Sequence, residues 1–209
     1  MLIKAKKSLG QNFLIDKNVI NKIVDTGNIK NTDVILEVGP GTGNLTKSIL
    51  KKKPKKIFVI EKDKNLANLL KKKFKDQITV INNDILKIAE NLIFDEELII
   101  FGNLPYNIST KILLKWIVND YKKKWYKSLI LLFQKEVADR ILAKTDNKNY
   151  GRLSIISNWK LKIEKIANIS SSCFYPKPKV ESTLLKFTPK KKYFKIDNSK
   201  NLETITRIF

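Results

Sequence analysis

Four runs of uninterrupted apolar residues constrain this chain more than any other feature: Val34-Ile35-Leu36, Ile57-Phe58-Val59-Ile60, Leu98-Ile99-Ile100-Phe101 and Leu129-Ile130-Leu131-Leu132-Phe133. A strand with one face in water alternates apolar and polar residues, whereas an unbroken apolar run suits a strand covered on both faces of a parallel sheet. Segments with helical spacing lie between the runs. Leu66, Leu69, Leu70 and Phe74 form one stripe, and Ile112, Leu113, Trp116 and Ile117 form another behind Ser109, a residue type that caps helices. A shorter amphipathic helix with Val19, Ile20, Ile23 and Val24 precedes the first run, with Asp16 placed to cap it and Gly27 to end it. Further strands with a connecting helix are expected from Leu153 to Ile169 and from Thr183 to Phe187. Alternating buried strands and amphipathic helices predict a doubly wound, Rossmann-like α/β fold. Its ligands would sit beyond the carboxyl ends of the strands.

The first of those ends carries Glu37-Val38-Gly39-Pro40-Gly41-Thr42-Gly43. Glycines at a strand-to-helix turn permit tight backbone geometry and let a ligand approach main-chain amides. The spacing differs from the Gly-x-Gly-x-x-Gly of pyrophosphate-binding dinucleotide folds, so a nicotinamide oxidoreductase lacks its phosphate turn here. S-adenosylmethionine has no phosphate; its ribose diol, adenine, amino-acid tail and sulfonium call for acidic and amide partners. Glu61, ending the second run, stands where a carboxylate accepts from ribose hydroxyls. Asp84, behind the strand-like Ile78-Thr79-Val80-Ile81, is placed to accept from the adenine amine, with Ile85 covering the ring.

After the third run and Gly102 comes Asn103-Leu104-Pro105-Tyr106. An exocyclic base amine is a poor nucleophile because its lone pair is delocalised into the ring. Two acceptors, the Asn103 side-chain oxygen and the Leu104 carbonyl, would take one hydrogen each and favour a pyramidal nitrogen with a localised lone pair. Pro105 stiffens the turn and Tyr106 offers a ring for stacking. A bare strand-ending turn is the competing explanation, since Asn and Pro are ordinary turn residues.

Composition narrows the chemistry further. With 209 residues the chain suits one main domain with a small appendage. No apolar stretch reaches the ~20 residues of a membrane span, and no secretory block is evident, so a cytoplasmic protein is expected. Cys173 is the one cysteine and histidine is absent, which excludes an internal disulfide and disfavours a zinc site or a histidine-based triad. No metal is expected, and catalysis must rest on positioning and an external reagent. The formal charge of +22 points to a polyanion such as nucleic acid. Among the 42 basic residues only Arg140, Arg152 and Arg207 are arginine, so part of the lysine excess reflects compositional bias.

With these residues in view, the chain resembles the small-subunit ribosomal RNA adenine dimethyltransferases. Besides the two turns, the resemblance is carried by Ser8-Leu9-Gly10-Gln11-Asn12-Phe13-Leu14, Phe133-Gln134-Lys135-Glu136-Val137-Ala138, Tyr150-Gly151-Arg152-Leu153-Ser154 and the segment from Phe174 through Pro176 and Pro178 to Ser182. It implies an S-adenosylmethionine-dependent methyltransferase fold over residues 1–188. Residues 189–209, with Leu202, Ile205 and Phe209, would be a linker and the start of a C-terminal helical domain that is largely missing. It further implies that Gln11, Asn12 and Leu14 help close the cofactor pocket, that Gly39, Gly41 and Glu61 hold the cofactor, and that Asp84 and Ile85 frame its adenine. Asn103, Leu104, Tyr106 and Phe174 would receive the target base, with Phe174 and Tyr106 stacking on opposite sides of it. The implied reaction is dimethylation of N6 on two adjacent adenosines in a 3'-terminal hairpin loop of small-subunit rRNA, by a monomer acting within an immature 30S-type particle. A large-subunit rRNA adenine methyltransferase of the macrolide-resistance type shares the Asn-x-Pro-Tyr chemistry. Gly10 to Leu14 and Gln134 to Ala138 favour the small-subunit family. A DNA adenine methyltransferase and a non-catalytic RNA-binding assembly factor also compete.

Overall fold

In the computed structural model, residues 5–6, 9–118 and 125–194 are described. In chain order they form β1 (Phe13–Leu14), α1 (Lys17–Thr26), β2 (Val34–Val38), α2 (Asn44–Leu50), β3 (Lys56–Ile60), α3 (Lys64–Phe74), β4 (Thr79–Ile81), α4 (Glu90–Ile93), β5 (Leu98–Gly102) and α5 (Tyr106–Val118). There follow β6 (Tyr126–Gln134), α6 (Lys135–Leu142), α7 (Arg152–Lys160), β7 (Leu161–Ile169), β8 (Phe174–Tyr175) and β9 (Ser182–Pro189). The seven-stranded sheet has the order β4-β3-β2-β5-β6-β9-β7, and β1 pairs with β8 in a separate two-stranded ribbon.

The four apolar runs become β2, β3, β5 and β6, which pair parallel to one another along the sheet. Their lack of alternation has the expected cause. In β2, Val34, Leu36 and Val38 join the core on one face while Ile35 joins the core on the other. Helices α1, α2 and α3 cover the second face through Ile20, Ile23, Val24, Leu45, Ile49, Leu70 and Phe74. Helices α5, α6 and α7 cover the first face through residues that include Ile112, Trp116, Ile141, Ile156 and Trp159. Asp16 caps α1 by accepting from the Val19 amide at 2.9 Å, and Gly27 ends it.

Two local expectations need correction. In α3, Ala67 is buried and Leu69 only partly so, because Leu66, Ala67, Leu70 and Phe74 share the face that meets the sheet. Ser109 does not cap α5, which begins at Tyr106; its hydroxyl turns back to the Tyr106 carbonyl at 3.1 Å. Beyond β6 the further strands expected from the sequence form an antiparallel end to the sheet, with β9 between β6 and β7. The helix anticipated around Leu202, Ile205 and Phe209 lies outside the described residues, as does Ser8.

From β2 the sheet runs through β3 to β4 on one side and then restarts at β5 on the other. A crevice opens beyond the carboxyl ends of β2 and β5 at this reversal, where open α/β sheets bind ligands. The glycine turn follows β2 and Asn103 follows β5, so connectivity alone brings them together.

Candidate active site

The glycine turn is held open by backbone conformations that side chains disfavour. Gly39 and Gly41 have φ of +69° and +57°. A Cβ on Gly41 would meet the Phe13 ring at 2.8 Å, whereas one on Gly39 would face little beyond the Asn103 carbonyl at 3.7 Å. Glu61 locks the turn to the end of β3. One carboxylate oxygen accepts from the Gly41 amide at 3.1 Å and the other from the Asp63 amide at 2.9 Å. Glu61 is 6% exposed, and burial pushes its carboxyl up. Each carboxylate oxygen has two acceptor directions, so capacity for further donors remains.

Asp63 escapes a reading of the sequence alone, yet it organises one rim. It caps α3 through the Asn65 amide at 2.9 Å, pairs with the Lys6 ammonium at 2.8 Å and accepts from the Gln11 side chain at 3.3 Å. Gln11 in turn accepts from the Lys6 amide at 2.8 Å. The legible signal for Asp63 is an acidic residue directly before the helical stripe of α3, a cap position. Glu37, in sequence only an acidic neighbour of the glycines, is 1% exposed. It accepts from the Thr46 hydroxyl at 2.6 Å, and burial pushes its carboxyl up to about 7.

Asp84 caps the 3-10 turn Ile85–Lys87 through the Leu86 amide at 3.0 Å and pairs with Lys62 at 2.9 Å. The Lys62 contact, more than any other, holds its carboxyl below the usual range. On the opposite wall the Asn103 amide nitrogen donates to the Asn12 carbonyl at 2.8 Å. Because a carbonyl can only accept, this bond fixes which end of the amide is which and leaves Oδ1 as an acceptor. No other described residue donates to that oxygen or to the Leu104 carbonyl. The Tyr106 hydroxyl shares a 2.6 Å hydrogen bond with Ser182 Oγ, and burial pushes the phenol up.

Gln11, Asn12, Leu14, Gly39, Gly41, Glu61, Asp84, Ile85, Asn103, Leu104 and Tyr106 all line one cleft. Phe174 does not. It is 2% exposed and packs in the core with Leu14, Leu132 and Leu184, because β8 points it inward and turns Tyr175 outward, 56% exposed. In this conformation its ring is not a free stacking face. Ser182, which anchors the Tyr106 ring, has no signal in the sequence; only the structure joins residues 76 positions apart.

The donor set suits a cationic, phosphate-free cofactor. In a chain of formal charge +22, the cleft nevertheless gathers three carboxylates, Glu37, Glu61 and Asp84, around bare glycine backbone, against one cation, Lys62, among its lining residues. Such carboxylates would repel a pyrophosphate and attract hydroxyl, amine and sulfonium groups. S-adenosylmethionine therefore fits the residues present.

A family model described as ribosomal RNA adenine dimethylase matches residues 2–209. The chain belongs to that family. It is 60% identical over its full length to a Pelagibacter ubique protein named ribosomal RNA small subunit methyltransferase A, and it spans 79% of that protein. The protein of that name in Mycoplasma mobile is 42% identical, with 98% of this chain and 78% of the relative covered. Among solved structures, a dimethyladenosine transferase from Plasmodium falciparum superposes with a TM-score of 0.77 at 33% identity, covering 86% of this chain and 64% of that one. The 23S rRNA methyltransferase ErmE shares the fold, with a TM-score of 0.75 at 24% identity over 94% of this chain and 77% of its own.

Proposed function

We propose that this adenine dimethylase family member transfers methyl groups from S-adenosylmethionine to N6 of two adjacent adenosines in a 3'-terminal hairpin loop of small-subunit rRNA. The observation that carries the reading is the Asn103 amide. Its nitrogen is spent on Asn12, so its oxygen stays directed as an acceptor in a cleft that also holds the glycine turn. Bound cofactor supplies a methyl group on a sulfonium, which departs as a neutral thioether.

The chain's own residues would do the rest. Glu61 offers its remaining acceptor directions to the ribose hydroxyls, with the backbone of Gly39 and Gly41 alongside. Asp84 accepts from the adenine amine once Lys62 yields an oxygen, and Ile85 covers the ring. Gln11, Asn12 and Leu14 form the lid side, tied to Asp63 and Asn44. Asn103 Oδ1 and the Leu104 carbonyl would accept hydrogen bonds from the target amine, which frees the nitrogen lone pair for the methyl carbon; the cationic amine formed then releases its proton to water. Tyr106, oriented by Ser182, gives the extruded base a stacking face. Phe174 would join only if its ring swung out of the core.

Residues 1–188 form the catalytic unit in this reading. The setting that fits the substrate is the cytoplasm, with a monomer acting on an immature 30S-type particle. Consistent with it, no helix among the described residues is long and apolar enough to cross a membrane. The test is incubation with labelled S-adenosylmethionine and small subunits lacking the modification. Label on two adjacent adenosines near the rRNA 3' end is expected. Label confined to large-subunit rRNA, or none despite cofactor binding, would overturn the reading.

A further inference from the structure

The turn that presents Asp84 and Ile85 is short, three residues of 3-10 helix followed by Ile88 in an extended conformation. Such a turn has few hydrogen bonds of its own, here the Lys87 amide to Asp84 at 2.9 Å and the Ile88 amide to Ile85 at 3.4 Å. The Ile85 carbonyl has only that long bond and the Ile88 carbonyl none within the turn, so both take a partner from elsewhere. That partner is Lys115 on α5.

The Lys115 ammonium donates to the Ile85 carbonyl at 2.8 Å, to the Ile88 carbonyl, and to Glu90 Oε1 at 2.8 Å. An ammonium has three N–H groups, and all three are matched. The Glu90 side chain is fully buried, and the Trp116 indole N–H donates to the same Oε1 at 2.7 Å. Lys115 itself is only 18% exposed at its side chain, so its bonds are largely shielded from competing water. It lies nine residues beyond Tyr106 on α5, about 13 Å along the axis. One helix thus carries Tyr106 at its start and braces the Asp84 turn farther along.

We propose that Lys115 is a positioning residue for the cofactor's adenine: it does not line the cleft but holds the Ile85–Lys87 turn, and with it Asp84 and Ile85, against α5. This rests on the reading that Asp84 accepts from the adenine amine. Replacing Lys115 by Met keeps the aliphatic stem and removes all three bonds, so the turn loses its brace while Glu61 and the glycine turn keep theirs.

The test is calorimetric titration of the parent and Lys115→Met with two ligands, S-adenosylhomocysteine and its analogue bearing hydrogen in place of the adenine amino group. Circular dichroism checks that each variant is folded. The parent prefers the amine-bearing ligand. Lys115→Met should bind that ligand about five- to tenfold more weakly, and the analogue, which stacks on Ile85 but makes no bond to Asp84, by a clearly smaller factor, so the preference shrinks. In turnover assays the KM for S-adenosylmethionine should rise by a similar factor while kcat at saturating cofactor stays within about twofold of the parent. Equal losses on both ligands, unchanged binding, or a drop confined to kcat would overturn the proposal. A parent that binds neither ligand would instead sink the cofactor reading. If Lys115→Met does not fold, Lys115→Gln, which keeps an amide donor for one carbonyl, carries the same comparison.

Discussion

Asn103→Ala separates chemistry from binding. The substitution removes two things of unequal weight. One is the Oδ1 acceptor, which in the proposed reaction meets the target amine through a bond that strengthens as the nitrogen pyramidalises and therefore belongs to the transition state. Loss of one preorganised partner of this kind costs ~10²–10³ in rate, by analogy with one donor of an oxyanion hole. The other is the 2.8 Å bond from Nδ2 to the Asn12 carbonyl, which ties the lid side of the cleft to the end of β5. An ordinary hydrogen bond contributes ~0.5–1.5 kcal/mol, which translates to about two- to tenfold in cofactor affinity. The two effects are separable by single-turnover methylation alongside cofactor and RNA titrations. The expected result is a rate down by at least about a hundredfold with cofactor binding weakened by no more than about tenfold. A variant that lost affinity in proportion to rate would make Asn103 a lid anchor and nothing more.

Glu61→Ala should abolish tight S-adenosylmethionine binding in calorimetry, since each bond to a charged acceptor contributes ~1.5–3 kcal/mol, while NADH should bind neither form; parental affinity in the variant would refute the assignment. Glu37→Gln should change the pH dependence of stability. With a folded carboxyl raised to about 7 from 4.5, the native chain binds the extra proton between those values, so the ionisation penalty is full above pH 7 and gone below 4.5. Glu61, also raised, acts with the same sign, whereas Asp33, Asp63 and Asp84 are lowered and titrate at more acidic pH. Thermal melts should therefore show Glu37→Gln gaining most over the parent near pH 8, by up to about 3 kcal/mol, and the gain vanishing toward pH 4.5; a pH-independent difference would contradict this. RNA affinity should fall with salt at a log–log slope of roughly −0.7 per neutralised phosphate on single strands, and a flat dependence would make the lysines compositional.

How far the sequence carries the fold depends on how local each signal is. The strands β2, β3, β5 and β6 are legible because burial on both faces leaves an unbroken apolar run. The cap at Asp16 needs only its three following residues. The start of α5 is misplaced by a turn because the carbonyl of Pro105, directly before Tyr106, accepts from the Ser109 amide at 3.1 Å and so opens the helix, which leaves the Ser109 hydroxyl to bond backward instead of capping. The cleft wall of Gly39, Gly41, Glu61, Asp84 and Ile85 is readable residue by residue at the strand ends. The roles of Gln11, Asn12 and Leu14 rest on resemblance alone, since their contacts with Asp63, Asn103 and Asn44 span long stretches of chain. Phe174 reads as a stacking ring because no local pattern distinguishes the inward from the outward residue of a two-residue strand. Ser182 and Lys115 act through contacts that sequence spacing does not encode.

Dimethylation of adenine N6 in small-subunit rRNA is the reaction proposed for this cleft. Its most direct measurement is mass spectrometry of the rRNA 3'-terminal fragment from unmodified small subunits, before and after incubation with the chain and S-adenosylmethionine. A gain of four methyl groups is expected, two on each of two adjacent adenosines, dependent on Asn103. A fragment that stays unmethylated while the protein binds cofactor, or methyl groups found on another base or on ribose, would contradict it.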